Sequence, residues 1–228
     1  MVAPEFAPVT FSFGFLEAEI GAVADETAAW SQRAGLGRQR TMLETPFPQS
    51  LAAVLPLSAP GFKRVWVSTL SQRWKTAYFD GFSNGGDPFP PISYLSQQLG
   101  CCGIVITSCP DSQHCFGANK IELYGPAKTE WLNLIWAVAA VNDGGQWVWQ
   151  RHGPIYEFEE AEHYEARRVR DRLTTARLAR YCSALAVPLA ASEFLSSAFV
   201  ESEGVTPVRR TESLAEARRR FGLDQPAV

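Results

Sequence analysis

The hydrophobic pattern is clearest between positions 74 and 126. Three runs there, 74–79, 104–108 and 120–124, carry β-branched and aromatic residues and are bounded by Gly, Pro, Asp or Asn, as strands are. Between the first two, Ile92, Leu95 and Leu99 recur at helical spacing, with Pro91 suited to the first turn and Gly100 to the stop. The pattern predicts a β-α-β-β unit whose three strands are mutual neighbours and whose helix is buried on one sheet face.

Upstream, Phe11, Phe13 and Phe15 alternate along 9–16, the period of a half-buried strand. Asp25 is a suitable N-cap for a helix to Ala34, stopped by Gly35 and Gly37. A helix over 47–55 and a strand over 64–69 follow, the strand reaching 74–79 through a hairpin loop at 70–73. Downstream, 126–141 reads as a buried helix. Leu132, Ile135, Trp136 and Ala139 make one face, and Trp131, Leu134 and Val138 fill much of the rest.

A hairpin is predicted from strands at 146–150 and 155–158. Two helical segments follow over 159–186, the second capped by Thr174 with Leu178, Tyr181, Cys182 and Leu185 as its buried stripe. Residues 187–208 read as irregular, and 213–221 as a last helix opened by a Ser213/Glu216 capping box. The expected fold is one α+β domain, a central mixed or antiparallel sheet with helices packed on it. Residues 74–186 form its core unit, 1–73 extend the sheet, and 187–228 add an irregular segment and a helix.

Hydrophobic residues at 46% and aromatics at 12% exclude wholesale disorder. No apolar run approaches the roughly 20 residues that span a bilayer, and the first residues lack the basic start of a secretory signal. A cytoplasmic protein is expected. The net charge is −3, from 21 basic and 24 acidic residues, and the excess lies in the first sixty positions, where three Arg face six acids. Such balance argues against nucleic acid or an anionic membrane as a partner. Five cysteines, an odd number, read as free thiols in that compartment.

Cys101, Cys102, Cys109, His114 and Cys115 have ligand chemistry for zinc, but a strand over 103–108 would hold Cys102 and Cys109 roughly 20 Å apart. Cys109, His114 and Cys115 then lack a fourth ligand, so no metal is expected, and 101, 102 and 109 read as small buried hydrophobes. His114 is adjacent to Cys115 and would point away from it in an extended chain, which counts against a nucleophile–base pair. Arg167, Arg168, Arg170, Arg172, Arg177 and Arg180 are interleaved with acids and read as a solvated surface. The glycine-rich stretch 80–91 lacks the order and the Lys of a phosphate loop and reads as turn chemistry. No catalytic residue and no cofactor is assigned.

The motifs W-x-x-A-Y-F-D, I-S-Y-L-S-Q-Q-L-G and I-E-L-Y-G-P, followed by F-E-E, H-Y-E-A-R-R-V-R-D-R-L-T and R-L-A-R-Y-C-S-A-L, lie within 74–186. In these the chain resembles small uncharacterised bacterial proteins, several of the kind that serve as immunity proteins for polymorphic toxins. The resemblance implies a binding protein that occludes a toxin's active site, and it carries over no individual residue. An acidic, aromatic face would suit a basic toxin site; the acidic first sixty residues and the loop 81–90 both flank the 74–79 strand, and the contacts expected there are Asp80, Phe82, Asp87 and Phe89. The alternative is an enzyme whose site is assembled from dispersed groups such as Asp80, Asp87, Asp143, His152 and His163. The oligomeric state is left open.

Overall fold

The computed structural model describes residues 2–60, 63–203 and 210–224. Its strands are β1 Ser12–Leu16, β2 Arg38–Leu43, β3 Leu57–Ala59, β4 Lys63–Thr69, β5 Thr76–Asp80, β6 Gly103–Cys109, β7 Ala118–Tyr124, β8 Leu134–Asp143, β9 Gln146–His152, β10 Phe194–Glu203 and β11 Arg210–Glu212. The α-helices are α1 Ile20–Ala34, α2 Phe89–Gln98, α3 Thr175–Ala184 and α4 Leu214–Arg220. Nine strands form one sheet in the order β2-β10-β4-β5-β1-β6-β7-β8-β9, every pairing antiparallel, and β3 and β11 form a separate pair. The α+β expectation is met, with the sheet antiparallel throughout.

Alternation along the strands sends two apolar sets to opposite faces. On one face Leu16, Trp66, Tyr78, Val105, Tyr124 and Phe199 pack with Val23 of α1 and with Ile92 and Leu95 of α2. The helix lies close because the sheet beneath it is glycine: a Cβ on Gly14 would sit 2.4 Å from Ile92 Cγ1, and one on Gly103 2.6 Å from Ile92 Cγ2. On the other face Phe13, Phe15, Val67, Phe79, Ile106, Ile121 and Trp136 are covered by the 3-10 turn Gln49–Val54, by α3 and by Trp74. The Trp74 indole donates to Leu185 O at 2.8 Å, and that of Trp136 to Glu159 Oε1 at 3.0 Å, so two large rings are buried without an orphaned N–H.

The structure corrects several expectations. Residues 126–141 contain no helix: their second half is β8, between β7 and β9. A strand buried on both faces is apolar all round, as a buried helix is, and periodicity does not separate them. Gly144 and Gly145, read as a helix stop, are the two-residue turn joining β8 to β9, with φ of 61° and 97°. Trp131 and Leu132, assigned to a core, are 66% and 60% exposed. Residues 155–158 are not a strand, and Tyr156 and Phe158 instead pack their rings on Trp136.

Between 159 and 174 there are 3-10 turns, Ala161–Glu165 and Val169–Asp171, before α3 begins at its Thr174 cap. The stretch read as irregular holds β10, a strand with neighbours on both sides, disguised by its serines and by the buried Glu201. Strand β1 separates β5 from β6, so 74–79 and 104–108 are not adjacent. Cys109 and Cys115 form a disulfide, because the loop between them folds back through mutual backbone hydrogen bonds of Ser112 and Cys115. Cys101 and Cys102 are half-buried, and Cys182 is buried, which pushes its thiol up to about 12. Among the described residues, no helix is long and apolar enough to cross a membrane.

Candidate functional site

Strand β5 ends at Asp80, 5% exposed, and the loop after it is organised by that carboxylate. Asp80 Oδ1 accepts from the Phe82 N–H at 2.9 Å, and Oδ2 accepts from the Asp87 N–H at 2.9 Å and the Tyr78 hydroxyl at 3.2 Å. The near side of the loop is tied to β3, with Ser58 N donating to Gly81 O at 2.8 Å and Ser83 N to Ser58 O at 2.9 Å. Arg220 of α4 holds the Ser83 carbonyl at 2.6 Å. Gly86 has φ 89°, and a Cβ there would meet Ser12 O at 2.7 Å, so the far side rests directly on β1. Burial pushes the Asp80 carboxyl up, against the pull of its hydrogen bonds and of Arg64, its cross-strand partner.

A cleft of about 390 Å³ opens beside this loop, between the end of α1 and the β2-β10-β4-β5 corner of the sheet. Trp30 stands at its wall, stacked on Tyr94 with centroids 4.5 Å apart, and the Arg38 guanidinium lies 4.3 Å over the Trp30 ring. Arg38 Nε donates to Glu203 Oε2 at 3.4 Å, and Arg64 Nη2 lies 3.6 Å from the same oxygen. Behind them Glu201 accepts from the Trp66 indole at 3.2 Å and pairs with Arg40 at 3.6 Å. Burial lowers the Arg38 pKa, and repulsion from Arg64 adds to it.

A second cleft, of about 440 Å³, lies across the loop, floored by Val105, Thr107, Lys120, Val141 and Gln150 of β6 to β9. Asp87 lines both clefts, Phe82 the first and Phe89 the second. Burial raises the Asp87 carboxyl, while Lys120 and Arg64 pull it down. The two clefts therefore share one acidic rim.

Of the four residues singled out in the sequence, Asp80 is buried and acts as the loop's organiser. Asp87 is exposed, and Phe82 and Phe89 are half-buried, Phe89 lying 5.7 Å from the Tyr124 ring. Asp143 lines the second cleft, whereas His152 and His163 line neither, and His163 groups with Glu160 and Glu162 on the surface. The structure thus brings Asp80 and Asp87 to the first cleft and Asp87 and Asp143 to the second, but places neither histidine with them. Trp30, Arg38 and Glu203 were missed. A signal existed: Arg38 and Arg40 alternate as Glu201 and Glu203 do, and the β2/β10 register sets Arg38 against Glu203 and Arg40 against Glu201.

Comparison with protein-family models, curated proteins and solved structures finds no match to this chain.

Proposed function

We propose that this is a cytoplasmic binding protein that neutralises a cognate toxin by occluding its active site, with loop 81–90 as the contact. The observation that carries the reading is the placement of Asp87. It is exposed on a rim between two clefts, flanked by Phe82 and Phe89, on a loop whose backbone is fixed by Asp80. A loop ordered before binding loses little conformational entropy on association, so its contacts count more fully toward affinity. The acid steers encounter with a basic active site and the aromatic rings supply buried area. The enzyme alternative is less well supported, since His152 and His163 stand apart from both clefts.

The test is to sequence the neighbourhood of the gene for an adjoining toxin gene and to measure binding of the purified protein to that toxin calorimetrically, with inhibition of the toxin as the second readout. Asp87→Lys and Phe82→Ala each weaken binding by about tenfold or more, a change of roughly 1.4 kcal/mol, at nearly unchanged melting temperature. Normal binding by both variants, or unfolding of both, removes the loop from the interface. Failure of the wild-type protein to bind or inhibit the toxin removes the reading itself.

A further inference from the structure

The first cleft holds more hydrogen-bond donors than its acceptors use. The Arg38 side chain is 4% exposed, yet its only hydrogen bond among the described residues is the long one to Glu203, and its Nη1 is buried without a partner. The Arg64 side chain lies 3.6 Å from the same Glu203 oxygen and makes no hydrogen bond of its own among the described residues. Two guanidinium groups therefore converge on one carboxylate oxygen beside an open volume of about 390 Å³. A buried guanidinium N–H left unpaired costs about 1–3 kcal/mol. Around these donors the wall is largely apolar, built by Trp30, Phe82 and Pro91 among others.

We infer that this cleft is a binding site for a small aromatic monocarboxylate, its carboxylate held by Arg38 and Arg64 and its ring set against Trp30 and Phe82. Guanidinium forks match the planar, two-oxygen geometry of a carboxylate. The neighbouring acids set the charge of the ligand: Asp80, Asp87 and Glu203 all line the cleft, so a dianion such as a phosphate monoester meets repulsion that a single negative charge meets less. The volume lies within the range of small-molecule pockets, about 300–1,000 Å³. This inference stands on Arg38 and Arg64 and does not depend on the toxin-binding reading.

Phenylacetate is the probe, titrated calorimetrically into the full chain, with phenylacetamide and inorganic phosphate as comparisons. Phenylacetate binds saturably, and the neutral amide and phosphate bind at least about tenfold more weakly. Arg64→Gln, at a partly exposed position, lowers phenylacetate affinity by a similar factor while the melting curve stays in place. Asp87→Asn removes a repelling charge and raises the affinity several-fold, a gain that no loss of folding mimics. Absence of saturable phenylacetate binding, equal binding of the amide, or indifference to both substitutions overturns the assignment. Toxin binding by Arg64→Gln is unchanged, so the two proposals fail separately.

Discussion

The backbone N–H of Asp87 donates to Asp80 Oδ2 at 2.9 Å, so a buried acid holds an exposed one at the rim of two clefts. The same carboxylate takes the Phe82 N–H and the Tyr78 hydroxyl, which leaves the entrance and exit of the loop anchored to one side chain.

Asp80→Asn tests that anchor. An amide keeps the volume but offers one acceptor oxygen, and its NH₂ then faces a backbone N–H. The expected loss is about 2–4 kcal/mol, since donors to a buried charged acceptor are worth more than ordinary ones and the orphaned N–H is desolvated. Urea unfolding measures it. A variant within about 0.5 kcal/mol of wild type would mean that the loop is held by β3 and α4 contacts instead.

Glu160 gives a pH signature. Hydrogen bonds from Arg180 and then Arg177 hold its carboxyl at about 2, below the usual 4.5. A depressed folded pKa means that the unfolded chain binds the proton first, so the stabilisation is complete above 4.5 and is lost as pH falls toward 2. Because Arg180 is well exposed, the contribution at neutral pH is small, about 1 kcal/mol. Urea melts of wild type and Glu160→Gln therefore differ by that amount at pH 7 and converge between pH 4.5 and 2. A gap that persists undiminished at the acid end would assign the effect to packing.

How far the sequence carried depended on whether one face of a strand met polar surroundings. The helix around Ile92 and Leu95, the strands at 104–108 and 120–124, and the caps at Thr174 and Ser213 all follow from local pattern, and each is present. Strand β8 escaped because Trp136, Val138 and Ala140 face one layer while Ala137 and Ala139 face the other, leaving no polar phase to read. Strand β10 escaped for the opposite reason: buried Glu201 and half-buried Glu203 sit where a central strand ordinarily carries apolar residues, and their partners, Arg40 and Arg38 on β2 and Trp66 and Arg64 on β4, are distant in sequence. The site followed suit. Asp87 was reachable from loop composition, whereas Arg38 and Glu203 lie 165 positions apart and meet only through that pairing.

Leu132 tests backbone strain at the exposed turn before β8. It has φ 60° with its side chain 60% exposed, a conformation that costs an ordinary L-residue roughly 1–2 kcal/mol. The turn is not free to relax. Leu132 O accepts from Thr129 N at 2.8 Å, and the next residue, Asn133, is fully buried and donates to Ser93 O at 3.0 Å, Ser96 Oγ at 2.7 Å and Gly125 O at 2.7 Å. Asn tolerates the left-handed region, so Leu132→Asn raises stability by about 0.5–1 kcal/mol. Leu132→Val, branched at Cβ, lowers it by a similar amount. Gly relieves the same strain but gains entropy in the unfolded chain, so Leu132→Gly falls between Asn and wild type. Chemical denaturation of the three variants gives the ranking directly. An order with Leu above Asn would show that the exposed side chain contributes more to the fold than the backbone loses by carrying it.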